Sequence, residues 1–283
     1  MARPIPVLLV CLLFVGCDVQ VDDEPARTWS EAQQDRQAEI TALYVPADGF
    51  AYKQNEQLTG VTVEILRTFA EWVASEYGVA LSLDFVEEEE WSTFYEQVRM
   101  ANDGTVGMGN VTITEERREE IDFSPPYMNN IASLISHEDD PPLREFEELA
   151  TAFSEHRLLA FEGTLHEERL RDIRSTYAPD LPLEFASSND EIIQRVAEGG
   201  VLAYIDVYNF HRAANEGAPL QRHEIGDDAE ETFGYILPTG SSWTPVLEEF
   251  FEADGGFVNS NTYLDILQTH LGRDLTRILT EAD

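Results

Sequence analysis

Asn110-Val111-Thr112-Ile113-Thr114-Glu115-Glu116-Arg117, followed three residues later by Ile121-Asp122-Phe123-Ser124-Pro125-Pro126-Tyr127, is the stretch whose reading decides the fold. Val106, Met108, Val111 and Ile113 form a short apolar run after the turn residues Asn102-Asp103-Gly104, which predicts a strand. The pattern then breaks. Thr114 is a good helix N-cap, and Glu115 and Glu116 suit the positive end of a helix. Arg117 therefore falls about one turn into a short helix at a strand end. Free backbone N–H groups, hydroxyls and a guanidinium converge there, which is the chemistry that holds an anionic group such as a carboxylate. The plain alternative is a surface arginine balancing Glu115, Glu116, Glu119 and Glu120.

Outward from that stretch, strand and helix patterns alternate. Ile40–Val45 reads as a strand and Val61–Tyr77 as a helix with its apolar residues near helical spacing, stopped by Gly78. Leu81, Leu83 and Phe85 alternate as a strand; Trp91, Phe94, Tyr95 and Val98 recur at helical spacing. On the other side, Ile131–Ser136 is an apolar strand broken by His137 to Pro142. A second block follows: helix Leu143–Ala152, strand Arg157–Phe161, helix Leu165–Tyr177 and strand Leu183–Phe185. Ser188-Asn189-Asp190-Glu191 has the capping-box pattern and opens a helix that Gly199-Gly200 ends. Val201–Ile205 reads as a buried strand ending at Asp206, and Thr232–Leu237 as another strand. Helices Val246–Ala253 and Tyr263–Leu271 complete the order. Two α/β blocks of this kind imply two parallel or mixed sheets flanked by helices.

The N-terminus reads as an export signal. Arg3 precedes an apolar run from Ile5 to Val15, too short for a membrane span. Phe14-Val15-Gly16-Cys17 is similar to a bacterial lipobox, with Phe14 where leucine is usual. The expectation is a lipoprotein signal over residues 1–16 and lipidation at Cys17. Residues 17–39, rich in acids, Gln and Arg, read as a flexible tether with room for a short helix. Cys11 and Cys17 are the only cysteines, so the folded part has no disulfide and relies on its core, for which 43% hydrophobic residues suffice.

Asp and Glu number 55 against 18 Lys and Arg, and the formal charge is −37. The acids are spread along the chain, which resembles proteins of salt-loving organisms, where a Debye length of about 3 Å at 1 M salt screens self-repulsion. Such a charge argues against nucleic acid as a partner. The six histidines have no metal-ligand spacing, and no phosphate-binding, dinucleotide or nucleophile-elbow motif occurs, so no metal and no cofactor is expected.

Thr112-Ile113-Thr114-x-x-Arg117 together with Asp122-Phe123-Ser124-x-Pro126-Tyr127 resembles the bacterial extracellular solute-binding proteins of family 3, which serve polar amino-acid ABC transporters. The resemblance runs from about Thr41 to Gly272. It implies the two-lobed, type II periplasmic-binding-protein fold, with lobe 1 over 40–133 and 235–283 and lobe 2 over 134–234. The two crossings would fall near Ile131–Ser136 and Thr232–Leu237, with the ligand in the cleft. By the family pattern Arg117 takes a ligand α-carboxylate, completed by Thr112, Asn110 and, from the second lobe, Thr164. In the family's Gly-Thr-Thr turn the second Thr is Leu165 here. Asp206 takes the α-ammonium; an N-cap role for it stays open. The aromatic that often stacks on the ligand would fall at Ala47, leaving Asp48, Phe50 or Trp91 to shape the side-chain pocket. Phe123, Pro126 and Tyr127 read as structural.

The expected partners are a small zwitterion, most simply an amino acid, an ABC permease, and the membrane through the lipid anchor; the protein itself is expected to be a monomer outside the cytoplasm. Two rivals stay open. One is a periplasmic enzyme like cyclohexadienyl dehydratase on the same fold, with Glu162 or His166 as general acid. The other is a sensing component, although the eleven residues from Gly272 to Asp283 leave no length for an attached output domain.

Overall fold

A computed structural model describes residues 27–280; the expected signal segment 1–16, Cys17 and the first part of the tether lie outside the described residues. Lobe 1 begins earlier than the sequence pattern predicts. Helix α1 (Trp29–Asp35) is closed by a capping box in which Thr28 and Glu31 satisfy each other's backbone N–H groups. Strand β1 (Gln37–Tyr44) follows directly. The tether expected over 17–39 is therefore corrected for 27–39, which are folded. Ala32 is fully buried, and the Trp29 ring packs edge-on against Tyr77 and Trp243, a contact that composition alone does not reveal.

After β1 come a hairpin, β2 (Tyr52–Gln54) and β3 (Gln57–Thr59), and helix α2 (Val61–Tyr77). Gly60 starts α2 at φ 128°, and a Cβ there would lie 2.2 Å from the Phe50 carbonyl oxygen, so only glycine fits. One face of α2 buries Ile65, Leu66, Phe69 and Val73 completely, each stabilising the lobe by roughly 1.5–3 kcal/mol. Strand β4 (Ala80–Glu87), helix α3 (Trp91–Arg99), strand β5 (Thr105–Thr112), the single turn α4 (Glu115–Arg118) and strand β6 (Asp122–Phe123) finish this part. Strands β4, β1 and β5 are parallel neighbours.

Strand β7 (Met128–His137) then leads into lobe 2: α5 (Leu149–Ala152), β8 (Arg157–Phe161), α6 (Leu165–Tyr177), β9 (Leu183–Ala186), α7 (Asn189–Ala197), β10 (Val201–Asp206) and α8 (Val207–Asn215). Helix Leu143–Ala152 contracts to a 3-10 turn plus one α-turn, because extended backbone persists to Glu145. Strand β11 (Leu220–Leu237) returns to lobe 1, where α9 (Thr244–Glu252), α10 (Asn261–Leu271) and α11 (Arg273–Thr280) close the core.

The order β4-β1-β5-β11-β7-β10-β8-β9 makes one mixed sheet, with β6 beside β11. β11 pairs antiparallel with β5 at one end and with β7 along most of its length, from Leu220 opposite His137 to Phe233 opposite Met128. The crossing between lobes is thus a hydrogen-bonded ribbon of two long strands. The sequence pattern shows only the last six residues of β11. Its first part, Gln221 to Glu231, is polar and irregular, with register shifts between His223 and Asp228 and between Asp228 and Glu231. Apolar cores lie on each side of the ribbon: one holds Ile40, Phe69, Trp243 and Phe250, the others Leu134, Phe153, Leu202 and Ile205. Tyr208, from α8, packs into the first core.

Candidate functional site

The cleft between the lobes has a volume of about 590 Å³. Among its lining residues are Asp48, Trp91, Asn110, Thr112, Arg117, Thr164, His166, Asp206 and Arg212. The strand ends and helix starts expected to carry function do converge, because β5 and β10 both end at this cleft.

Arg117 sits where the local pattern predicts. The Thr114 hydroxyl accepts the Arg117 backbone N–H at 3.2 Å, which fixes the turn, and Arg117 Nη1 donates back to the Thr112 carbonyl at 3.0 Å. The guanidinium lies 5.4 Å from the Trp91 ring centroid and 5.8 Å from that of Tyr95, and these two rings stack on each other. Among the described residues no carboxylate lies within 4.0 Å of it. In a chain with three acids for every base, a cation left without an acid is informative. Burial pulls the guanidinium below its ordinary pKa, opposed by Tyr95 and by more distant glutamates. The group stays cationic and has most of its donors to offer. Trp91 thereby flanks the guanidinium as well as lining the cleft.

Asn110 is in the left-handed conformation, φ 51°, which Asn tolerates better than most residues. Its amide is occupied: Nδ2 donates to the Tyr208 hydroxyl at 3.2 Å and Oδ1 accepts from the Tyr127 hydroxyl at 2.8 Å. Tyr127 and Tyr208 thus lock Asn110 across the lobes. Thr164 stands at the start of α6, but its hydroxyl donates to the Phe161 carbonyl at 2.8 Å rather than capping the helix. The first N–H groups of α6 have no acceptor within the helix, so a second set of donors faces the cleft from lobe 2.

Asp206 ends β10 at the N-cap position of α8, yet its side chain makes no cap bond. Oδ1 instead accepts from Asn130 Nδ2 at 2.6 Å and lies 3.3 Å from His166 Nε2. The nearest approach of each partner is to Oδ1. His166 Nδ1 meets Arg169 Nη1 at 3.2 Å; since arginine can only donate, the imidazole accepts there and carries its proton on Nε2, toward Asp206. Arg169 also pairs with Asp228 at 2.9 Å and with buried Glu231.

Two expectations change. Phe50 is fully buried, is absent from the cleft wall, and packs its ring 4.5 Å from that of Tyr208; it belongs to the core of lobe 1 and is corrected as a ligand contact. Asp48 does line the cleft, but its carboxylate pairs with Arg212 Nη1 at 2.9 Å from the other lobe, and Arg212 also meets Asp190 at 3.0 Å. Glu162 is exposed and is not among the cleft residues. Tyr52, which with Phe50 resembles the family's Pro-Pro-Phe-x-Tyr region, lies on the cleft wall; the pattern does not reveal Tyr44, Lys53 and Arg212 on that wall, or Asn130 and Glu231 behind it. An asparagine inside the apolar strand β7 is the one signal that could have flagged Asn130. Among the described residues, no cluster of three or more His, Cys, Asp or Glu is built to hold a metal ion, and no helix is long and apolar enough to cross a membrane.

Two α/β lobes joined by a strand ribbon, with a charged cleft between them, define a type II periplasmic binding protein. The chain belongs to the bacterial extracellular solute-binding proteins, family 3, whose sequence model matches residues 41–268. No match to a curated protein sequence is found. Similar solved structures include the arginine-, lysine-, histidine-binding protein ArtJ of Geobacillus stearothermophilus, at 19% identity over 83% of this chain and 96% of that one, TM-score 0.65. An ancestral arginine-binding protein bound to arginine shares 16% identity over 83% and 98% of the two chains, TM-score 0.65. An ancestral amino-acid-binding precursor of cyclohexadienyl dehydratase shares 18% identity over 86% and 98%, TM-score 0.64.

Proposed function

We propose that this solute-binding protein captures an amino acid or a similar small zwitterion in its cleft and delivers it to an ABC permease. The observation that carries the reading is a pair of opposite charges lining one cavity: the Arg117 guanidinium, which has no acid partner within 4.0 Å among the described residues, and the Asp206 carboxylate, held through Oδ1 by Asn130. A ligand α-carboxylate lies on Arg117 and on the start of α6, with Thr112 at the strand end; its α-ammonium lies on Asp206. Trp91 holds the guanidinium in place. Asn110 and Thr164 shape the walls, and Asp48 acts through Arg212. Solute-binding relatives that take arginine, lysine, histidine or glutamine support an amino-acid ligand. Export and lipidation at Cys17 would hold the domain, as a monomer, at the outer face of a membrane.

The ligand leaves unchanged. The dehydratase-like rival needs a free general acid in the cleft; Glu162 lies outside it, and His166 stands between Arg169 and Asp206, 3.2 Å and 3.3 Å from them. The test is a thermal-shift screen of the folded domain at high salt against the twenty L-amino acids, beside Arg117→Ala. A ligand that binds only the folded form raises the midpoint by mass action. One amino acid should give a clear rise that Arg117→Ala abolishes. No rise with any of the twenty would overturn the amino-acid ligand, and consumption of a hit during incubation would establish an enzyme.

A further inference from the structure

Asn130 lies on β7, in the ribbon that crosses between lobes, and is fully buried. Its amide nitrogen gives one N–H to Asp206 Oδ1 at 2.6 Å and the other to Glu231 Oε2 at 2.8 Å. The orientation of the amide is forced, because its carbonyl oxygen cannot face two carboxylates. That oxygen is left buried with no partner, an arrangement that opposes folding. A purely structural residue here would be better served by an apolar side chain of similar size, were the two carboxylates absent. The carboxylates are present, and they give the amide its role. Asp206 and Glu231 stand close together in the interior; Asn130 lies between them as donor, and Arg169 pairs with Glu231 from the other side.

We propose that Asn130 is a positioning residue for recognition of the ligand's α-ammonium. This rests on the amino-acid reading above. Asn130 donates to Oδ1 of Asp206 at 2.6 Å, His166 Nε2 stands 3.3 Å from the same oxygen, and Asp206 lines the cleft, so the donor from β7 fixes the carboxylate that the ligand meets. Neither residue needs to touch the ligand. Glu231 anchors the far side of the amide and is itself held by Arg169. The carboxylate is thus fixed from the crossing strands β7 and β11 on one side and from α6 on the other. Pre-set in this way, it meets the ammonium without first losing rotamer freedom. Without Asn130, Asp206 has one fixed donor fewer and Glu231 lies beside it with nothing between. The effect falls on the ammonium alone. Arg117 belongs to lobe 1 and shares no hydrogen bond or ion pair with this network among the described residues; it feels Glu231 only as a more distant charge, which a change at Asn130 leaves in place, so the hold on the carboxylate stays as it is.

The test compares two ligands on two proteins. The tightest binder among the twenty L-amino acids is titrated by calorimetry beside the same acid without its α-amino group; for L-arginine that partner is 5-guanidinopentanoic acid, for L-lysine 6-aminohexanoic acid. The wild-type protein should prefer the amino form, and Asn130→Ala should lower that preference ratio at least tenfold, with the affinity for the des-amino acid changed less than threefold. Asn130→Ser, which keeps a single donor, should fall between the two and carries the comparison if the alanine variant does not fold. Equal weakening of both ligands would mean that Asn130 only supports the fold, and an unchanged ratio would mean that Asp206 positions itself; either overturns the proposal. If the wild-type protein binds none of the twenty, the amino-acid reading fails first, and this inference with it.

Discussion

The two ends of the cleft hold their charges in opposite ways. Arg117 is supported by its own neighbourhood: the carbonyl of Thr112, the cap Thr114, and two stacked rings one helix away. Asp206 is supported from afar, by Asn130 from 76 positions earlier, by His166 from α6, and through Asn130 by Glu231. At the first end the charge has no acid partner within 4.0 Å among the described residues. At the second, Asp206 and Glu231 share the amide of Asn130, and Arg169 stands behind Glu231. A charge can be kept ready either by withholding its partner or by fixing it with a donor from a distant strand. The first way needs few residues; the second ties recognition to the strands that cross between lobes.

Arg117→Ala tests the first end most severely. It should cost about 4 kcal/mol of binding, approaching a thousandfold in Kd by calorimetry, because it leaves a buried ligand carboxylate unpaired. Arg117→Lys should recover only part of this, since a point charge lacks the planar fork. A loss under tenfold for alanine would break the contrast between the ends.

The contrast extends to the imidazoles of lobe 2. His166 stands at the cleft between Arg169 and Asp206, whereas His223 is in the core, accepting the Leu143 N–H at 3.1 Å and meeting the Ser136 hydroxyl at 2.9 Å. Burial lowers the His223 pKa from 6.5 to about 4. The neutral form is the folded one, so its contribution is intact above pH 6.5 and is lost as the pH falls toward 4, where the unfolded chain holds a proton that the folded chain does not. The loss should reach on the order of 3 kcal/mol at pH 4. Denaturant unfolding of wild type and His223→Gln across that window, at constant high salt, should show a shallower decline for the variant; parallel curves would remove His223 from the account.

Asp206→Asn keeps the shape at the second end and removes its charge. It should cost about 2 kcal/mol, near thirtyfold, for an amino acid and much less for the des-amino acid. The smallest effect belongs to the lobe-to-lobe pair of Asp48 and Arg212. Asp48 is 57% exposed, so Asp48→Asn should change Kd by no more than about 1 kcal/mol, and raising the salt should erase the difference. A large, salt-independent effect would move Asp48 from the rim of the site to its centre.

The same contrast explains what the sequence reveals. Thr112 to Arg117 is a local device: a strand end, a cap and one turn, all within six residues, and its geometry follows from spacing. Helix α2 and the cap at Ser188 are legible for the same reason. The position of Asp206 at a strand end is legible, but its partners are not, because they arrive from other elements. Phe50 misleads because an aromatic after the first strand has the same appearance whether it turns to ligand or core; its packing against Tyr208 is a contact that spacing does not show. The early part of β11 is hidden by its charges, since a bulged, polar crossing strand has no alternation to read. Trp29 looks like part of a polar leader until Trp243, more than two hundred residues away, gives it a place.

That last distance has a consequence in time. Strand β11 must be made before β5 has its second neighbour, with Val111 opposite Gly234, and Trp243 must follow before Trp29 can be buried. All of lobe 2 therefore leaves the ribosome while lobe 1 is still an incomplete sheet with an open edge. Long-range pairings of this kind close slowly, because the loop must be gathered before any contact rewards it. The chain is assembled from the inside outward: the inserted half can finish first, and the half that opens the sequence is the last to become solid.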